Sequence, residues 1–179
     1  MGGVMAEILQ EKWMKGVAVT TTVLAVLTAI AASRAGYCVA KNQVLTALEG
    51  SQWAYYQAKS IKQNLAETQK EAFEAAVLGI TTLEQKDLLR KGLETYASEI
   101  ARYDQEKNQI KTDAENVGKE NLIVSRKGNQ FSMSVVFFQL GIMLSSVGAL
   151  LKKKELWLIG LIFGCVAIVY LANGQFLFF

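Results

Sequence analysis

Three long apolar runs constrain the fold of this chain more than any other feature of its sequence. Residues 16–33, 131–151 and 156–179 contain no charged side chain, and each run is long enough to cross a bilayer as an α-helix. The segment 34–130 lies between the first two runs and contains 14 Lys or Arg and 13 Asp or Glu. This arrangement predicts an all-α membrane protein in which three transmembrane helices hold a charged extramembrane segment.

The charged segment 34–130 has the pattern of two long helices that pack together as an antiparallel coiled coil. In its second half, mostly apolar residues recur at alternating spacings of four and three. These residues are Leu89, Leu93, Tyr96, Ile100, Tyr103, Lys107, Ile110, Ala114, Val117, Asn121, Val124 and Gly128. The first half has a stripe of mainly small residues, which would let the facing helix come close. This stripe consists of Ala47, Ser51, Ala54, Ala58, Ile61, Leu65, Thr68, Ala72, Ala75 and Gly79.

A turn near residues 79–82 is predicted to join these two helices. Gly79 can adopt a positive φ just past a helix end, and Thr81 followed by Glu84 is a capping-box pattern at the start of the next helix. The chain has no proline, which favours uninterrupted helices on both sides of the turn. The alternative is a soluble four-helix domain inserted between the membrane spans.

The N-terminal part of the chain is expected to attach it to the membrane. Residues 1–15 have an amphipathic pattern, which predicts an interfacial helix with Trp13 at the level of the lipid headgroups. A frayed terminus fits the same residues. Residues 16–33 have the length of a membrane span, but a secretory signal peptide has a similar pattern. We interpret this run as a signal anchor whose helix continues into the charged segment.

An aromatic block lies in the first half of the charged segment. Its candidate contact residues are Trp53, Tyr55, Tyr56 and Lys59. Successive residues of a helix point about 100° apart, so one packed seam cannot bury all three rings. Packing between subunits is the favoured interpretation, and binding of a ligand or partner is the alternative. Lys59 and Lys62 are also expected to reach acids of the second helix, for which the candidates are Glu94 and Glu99.

Polar and small residues within the last two apolar runs predict close contacts between helices. Gln139 lies inside the run 131–151, where its amide needs a hydrogen-bond partner. Gly141 follows it and is a further helix-contact candidate. Gly160 and Gly164 form a G-x-x-x-G pattern in the run 156–179, which is typical of apolar helices that pack closely.

Two blocks of this sequence carry a resemblance to a known family. The first is Trp-Ala-Tyr-Tyr-Gln-Ala-Lys-Ser-Ile-Lys at residues 53–62, and the second is Gln-x-Gly-Ile-x-Leu-x-Ser at residues 139–146. With the flanking apolar runs, they resemble an uncharacterised bacterial family of small integral membrane proteins, classified as a domain of unknown function. The resemblance covers most of the chain. It implies an integral membrane protein and brings no known activity with it.

A basic segment at residues 152–155 separates the last two spans and sets the expected orientation. Its lysines are Lys152, Lys153 and Lys154, and Trp157 follows as an interface anchor. Three spans place this segment on one side of the membrane and the segment 34–130 on the other. Short basic loops stay in the cytoplasm, whereas a long segment crosses largely regardless of its charge. We therefore predict a bacterial inner-membrane protein with a periplasmic segment 34–130 and a cytoplasmic basic segment.

The sequence has no pattern that is typical of catalysis or of a cofactor site. It contains no His, two Cys and no glycine-rich nucleotide loop, and its acids are scattered along helix faces. We therefore expect a non-enzymatic protein without a metal or cofactor. Because positive and negative charges nearly balance in the segment 34–130, nucleic acid is not an expected partner.

The leading hypothesis for function is a homo-oligomeric scaffold in the lipid bilayer. A two-helix segment cannot bury all of its large apolar side chains, and surplus apolar surface usually marks a partner. The residues concerned are Trp53, Tyr55, Tyr56, Phe73, Leu78 and Leu83. The alternative is a subunit of a membrane pore or transport complex. In that case a symmetric oligomer would be lined by the hydroxyls of Thr20, Thr21, Thr22 and Thr28. An unrelated membrane protein as partner is a third hypothesis.

Overall fold

The fold is all-helical in the part of the chain that the structure describes. A computed structural model describes the backbone of residues 2–79 and 82–178, and the side chains of residues 13–79, 82 and 84–178. These residues form α1 (Gly2–Leu78), α2 (Leu83–Leu150) and α3 (Lys154–Phe176). Each helix contains a window that is apolar and long enough to cross a membrane, by length and composition. At most 28% of any of these windows is buried within the chain, so most of their apolar surface faces outward.

Helix α1 continues from the N-terminal region through the first apolar run and into the charged segment. Neither proline nor a turn interrupts it, so the first apolar run continues into the charged segment as one helix. Its role as a signal anchor stays a prediction. The predicted interfacial helix 1–15 is thus the beginning of α1 for Gly2 onward. Its position at a membrane surface stays a prediction, and the side chains of residues 1–12 lie outside the described residues.

The chain divides into two compact units. The terminal unit comprises Met1–Gln43 and Leu122–Phe179, and the central unit comprises Val44–Asn121. The central unit is built from the second half of α1 and the first half of α2, whereas α3 belongs to the terminal unit.

In the central unit the two helices run in opposite directions. Asn121 Nδ2–H donates to Thr46 Oγ1 (3.1 Å), Lys59 forms an ion pair with Glu106, and the rings of Phe73 and Tyr96 lie 5.4 Å apart. The partners on α2 therefore move back along the chain as the positions on α1 advance. The α2 residues predicted to form the seam in this unit, from Leu89 to Asn121, are all buried or half-buried, so the prediction for this helix was correct.

The prediction for the first half of the seam was wrong. The stripe of small residues from Ala47 to Gly79 is exposed along its whole length. The residues that α1 buries in the central unit are instead Leu45, Glu49, Gln52, Tyr56, Lys59, Gln63, Ala66, Lys70, Phe73 and Val77. They keep the alternation of four and three, and this packed stripe lies two residues before the predicted one, which is about 160° around the helix.

Packing explains this correction. The small residues that admit close approach are on α2, where a Cβ added to Gly92 would lie 3.0 Å from Phe73 Cε1 and one added to Gly118 would lie 2.9 Å from Glu49 Oε1. Larger side chains of α1 fill these places, and they bury more surface than alanines at the same positions would. The sequence therefore contains two helical stripes on α1, and the stripe with the larger side chains faces α2.

Helix α1 ends at Leu78 and α2 begins at Leu83, on either side of the predicted turn, but the conformation of Gly79 differs from the prediction. Gly79 does not have a positive φ, and its N–H donates to Ala76 O (3.2 Å), as in the last turn of a helix. Lys86 N–H donates to Thr82 O (3.2 Å), so the first helical hydrogen bond of α2 is accepted by Thr82. The predicted capping residue Thr81 lies outside the described residues.

The terminal unit packs segments of all three helices around a small apolar core. The buried core consists of Leu24, Ala31, Phe138 and Ala167. Phe137 of α2 stacks on two rings of α3, with ring centroids 6.1 Å from Phe163 and 5.2 Å from Tyr170. Ser134 is fully buried, and its hydroxyl donates to Ala167 O (3.0 Å). This bond satisfies the hydroxyl between two apolar helices.

A tight turn at the predicted basic segment joins α2 to α3. Lys152 has a positive φ of 55°, Lys153 N–H donates to Gly148 O (2.9 Å), and Lys152 N–H donates to Ala149 O (3.3 Å). These two bonds form the Schellman arrangement that closes many helix C-termini. The sequence signal was missing because a lysine occupies the left-handed position where glycine is usual.

Candidate functional site

An ion pair surrounded by tyrosines lies in the middle of the central unit. We call it the Lys59 cluster, and it consists of Tyr55, Tyr56, Lys59, Gln63, Tyr103, Glu106 and Lys107. Lys59 Nζ pairs with Glu106 Oε2, and only 15% of the lysine side chain is exposed. The same Nζ lies 5.3 Å from the ring centre of Tyr55 and 5.5 Å from that of Tyr103. These distances suit cation–π attraction on both sides of the ion pair.

The hydrogen bond between Lys59 and Glu106 shifts the pKa values of both groups toward their charged forms. The bond to Glu106 raises the pKa of Lys59 above its ordinary value of 10.5, against a smaller opposing effect of desolvation. The bond to Lys59 lowers the pKa of Glu106 below its ordinary value of 4.5, again against desolvation. Both groups are therefore charged near neutral pH, and the pair acts as a fixed contact rather than as a proton donor or acceptor.

The predicted acidic partners of Lys59 and Lys62 were wrong. Glu99 lies on α2 beside Arg102, with 3.8 Å between Oε1 and Nη2, and the partner of Lys59 is Glu106. Lys62 is exposed and acts on Glu106 only through its charge. The reason is the packed stripe of α1, which sets the position along α2 that faces Lys59.

The second lysine of the cluster explains why the α2 seam is interrupted. Lys107 Nζ donates to Gln63 Oε1 (3.0 Å) and lies 5.3 Å from the ring centre of Tyr56. Tyr56 also contacts Trp53 edge to face, with 5.7 Å between their ring centroids. Lys107 therefore has both a hydrogen-bond acceptor and an aromatic face inside the seam, which offsets its removal from water.

The packed seam covers only part of the aromatic block, as the spacing of its rings predicted. Tyr56 is half-buried in the packed stripe, Trp53 is half-buried beside it, and Tyr55 is exposed. The block is thus partly covered by contacts within one chain. Its chemistry is that of a specific polar contact, because each charged group of the Lys59 cluster already faces an opposite charge, an amide or an aromatic ring.

The helix-contact glycines of the terminal unit are brought together within a single chain. A Cβ added to Gly160 would lie 2.7 Å from Gly141 O and 2.5 Å from Ser145 Oγ, and a Cβ added to Gly164 would lie 2.9 Å from Leu24 Cδ2. Gly160 therefore meets α2, and Gly164 meets α1. Such close approach permits Cα–H···O contacts between helix backbones.

The predicted anchor residues lie at the end of the terminal unit where α2 turns into α3. Trp157 Nε1–H donates to Thr20 Oγ1 (3.1 Å), its ring lies 6.4 Å from that of Trp13, and Gly16 leaves room beside it. The two predicted tryptophans are therefore in contact. The three lysines that precede Trp157, at residues 152–154, are exposed.

Gln139 has no intrachain partner in the described part of the structure. Its side chain is exposed on α2, and no hydrogen bond joins it to another described residue. The predicted amide contact between helices is therefore absent within this chain, as far as the described residues show.

Sequence reasoning missed Asn173, which is fully buried in the terminal unit. Its side-chain Oδ1 accepts a hydrogen bond from Phe178 N–H (2.7 Å), and its backbone O accepts one from Leu177 N–H (2.7 Å). Leu177 has a left-handed conformation with φ of 54°, so Asn173 closes the C-terminus of α3. The signal was present as an amide near the end of an apolar run.

The described residues contain no group of three or more Cys, Asp or Glu side chains arranged to hold a metal ion. Cys38 is buried and Cys165 is exposed, and both are free thiols. The expectation of a protein without catalysis or cofactor stays a prediction, and the geometry described above is that of contacts between helices.

Comparison with known proteins identifies a family for this chain. Neither a curated protein nor a solved structure matches the chain at a significant level. Residues 13–177 match the family described as a domain of unknown function, DUF4337. This match includes the Lys59 cluster, the contact glycines, the first two apolar runs and the third as far as residue 177. The chain therefore belongs to the DUF4337 family.

Proposed function

We propose that this protein is a non-enzymatic membrane scaffold that forms a homo-oligomer through its central unit. In this proposal the two helices of the central unit form an antiparallel coiled-coil hairpin, and neighbouring copies associate along α1. The observation that carries the proposal is the exposed stripe of α1, which we define as the positions from Ala47 to Gly79 that the sequence pattern selected and α2 leaves uncovered.

The exposed stripe has the composition of a contact surface. Its large members are Ile61 and Leu65, and the exposed side chains of Val44, Leu48 and Tyr55 lie beside it. Ile61 and Leu65 are 68% and 57% exposed. They lie one helical turn apart and form an apolar pair in an otherwise polar region. The remaining members are small residues at the same alternating spacing. Helices with two such stripes are typical of bundles of more than two helices, because each stripe needs its own partner.

The Lys59 cluster supports the same proposal in a different way. Polar groups within a seam contribute little net stability but fix the register of two helices, as a single polar residue does in coiled coils. Here the cluster would hold α1 and α2 in one register. The exposed stripe is then presented as a continuous surface, which a scaffold that binds copies of itself requires.

The oligomer is tested on the full chain purified in detergent. We expect multi-angle light scattering to give a protein mass of at least twice 19.7 kDa. The double substitution Ile61→Glu and Leu65→Glu places charges on the exposed stripe and is expected to lower this mass. Gln57→Glu with Asn64→Glu is the matched control, since both residues are exposed on the polar side of the same helix. A monomeric wild type would refute the proposal.

We further propose that the three apolar windows span a bacterial inner membrane. The central unit would lie in the periplasm and the lysine turn at residues 152–154 in the cytoplasm. The support is the short, exposed basic turn between α2 and α3, because lysines in short loops are retained on the cytoplasmic side. The bilayer and other copies of the chain are the proposed partners, and nucleic acid is not.

A subunit of a pore or transport complex is the less favoured candidate. The hydroxyls of Thr20, Thr21, Thr22 and Thr28 each donate to a carbonyl of their own helix, at 2.7 to 3.0 Å. A hydroxyl that is bonded in this way leaves less hydrogen-bonding capacity for an ion or solute. Ion flux into liposomes that contain the purified protein would favour the pore instead.

A further inference from the structure

Gln139 lies far from both ends of its apolar run. It lies eight residues after Phe131 and twelve before Leu151. At 1.5 Å per residue these separations are about 12 Å and about 18 Å along the helix. Both exceed the length of a glutamine side chain. If α2 crosses a bilayer along this run, the amide lies well inside the hydrocarbon.

The amide also points away from its own chain. Its neighbour Phe138 is completely buried, whereas Val136 and Met143, one turn before and one turn after Gln139, are 49% and 59% exposed. No described residue gives the Gln139 amide a hydrogen bond. A carboxamide left unbonded in an apolar medium is unfavourable, and none of the described residues supplies its partner.

Gln139 is the centre of an outward stripe on α2, which we call the Gln139 stripe. Its members are Ser132, Val136, Gln139, Met143 and Ser146, at alternating spacings of four and three, and all of them are exposed. Ser146 Oγ–H donates to Ile142 O of its own helix (2.8 Å). Ser146 is therefore satisfied, and Ser132 lies at the end of the apolar run. The amide is thus the polar group deep in this run that requires a partner.

We propose that the Gln139 stripe is the contact between two copies of this chain within the membrane, and that the two Gln139 amides bond to each other. A carboxamide carries two donors and an acceptor, so an identical amide complements it fully. A second copy presents that group at the same depth and with the same small and flexible neighbours. Amides of this kind join apolar helices in lipid. The inference deepens the proposed homo-oligomer by naming its contact inside the bilayer.

The test is disulfide cross-linking in native membranes, in the full chain carrying Cys38→Ser and Cys165→Ser. Val136→Cys and Met143→Cys each introduce one thiol on the Gln139 stripe. Matched controls are Val26→Cys on α1 and Ile162→Cys on α3, since both side chains are exposed in apolar windows. With copper phenanthroline as the oxidant, we expect covalent dimers from positions 136 and 143 and few from positions 26 and 162.

Substitution of the amide is the second arm of the test. Gln139→Leu is expected to lower the yield of dimer at position 143 about tenfold, which corresponds to about 1.4 kcal/mol, within the range for such bonds in model helices. Gln139→Asn, which keeps the amide, should restore part of the yield. Because residue 139 is exposed, neither substitution disturbs the packed core, and an unchanged circular dichroism spectrum verifies the fold.

The outcomes separate this inference from the proposed scaffold. A wild type that is monomeric by light scattering overturns both. An oligomeric wild type whose cross-linking is equal at positions 26, 136, 143 and 162, or is unaffected by Gln139→Leu, overturns the Gln139 contact alone. Labelling of position 136 or 143 by a water-soluble maleimide in sealed membranes also overturns it, since the stripe would then face water in a pore.

Discussion

The ion pair of Lys59 with Glu106 makes the central unit sensitive to acid. Because the pKa of Glu106 is lowered on folding, its contribution to stability is present above pH 4.5 and is lost as the pH falls through the lowered value. The raised pKa of Lys59 makes its contribution complete below pH 10.5, and this part is lost only at higher pH. Glu106→Gln should therefore lower the unfolding temperature at pH 7 and have a smaller effect at pH 3.

Circular dichroism of the full chain in detergent measures this difference. The matched control is Glu74→Gln, because Glu74 forms an exposed pair with Lys70 on the same helix (3.4 Å), and such pairs contribute little. An effect of Glu106→Gln that is equal at both pH values would contradict the role assigned to the ion pair.

Gly160 is expected to tolerate no larger residue. In Gly160→Ala the added methyl meets Gly141 O and Ser145 Oγ, and because Gly141 O belongs to the backbone, α2 and α3 must move apart. We expect a loss of about 1–3 kcal/mol in the free energy of unfolding, measured by thermal unfolding in detergent.

Gly36→Ala is the control for this prediction. No atom lies within 4 Å of a Cβ at Gly36, and alanine is favoured over glycine in a helix by about 1 kcal/mol. This substitution should leave the unfolding temperature unchanged or raise it. Equal losses from both substitutions would show that the contact at Gly160 does not hold the helices together.

At the scale of the helix, the packed and exposed stripes of α1 respond differently to a larger side chain. Ala66 is 4% exposed in the packed stripe, so Ala66→Leu should destabilise the central unit by about 1–3 kcal/mol through overpacking. Ala58 is exposed, and Ala58→Leu should cause no such loss. Urea unfolding of both variants distinguishes the stripes. A larger loss of unfolding free energy in Ala58→Leu than in Ala66→Leu would show that the stripe predicted from the sequence faces α2.

At the scale of the whole molecule, orientation in the membrane is best measured with introduced thiols. The native Cys38 is unsuitable because its side chain is buried beside Gly128. In a chain with Cys38→Ser and Cys165→Ser, Thr112→Cys places an exposed thiol in the central unit, away from the exposed stripe of α1, and Lys153→Cys places one in the basic turn. We expect an impermeant maleimide to label position 112 in spheroplasts and position 153 only after lysis. Labelling in the reverse order would place the central unit in the cytoplasm.

The sequence by itself determined the elements of this protein. The three apolar runs, the lack of proline and the α2 seam from Leu89 to Asn121 were sufficient to predict helices that the structure contains. The reason is that periodicity and apolar length are local properties. The pattern of Gly160 and Gly164 likewise predicted a close approach, since glycines at this spacing let the backbones of apolar helices come close.

The tertiary structure alone decided which surfaces meet. Both stripes of α1 have the spacing of a packed seam, and only the fit of Phe73 against Gly92 selects one of them. That selection sets the register, which pairs Lys59 with Glu106 instead of Glu94 or Glu99. The tertiary structure also decided that Gly160 packs against α2 of its own chain while the side chain of Gln139 faces outward. Periodicity defines a stripe on a helix, but the identity of its partner depends on the volume and polarity of the residues opposite.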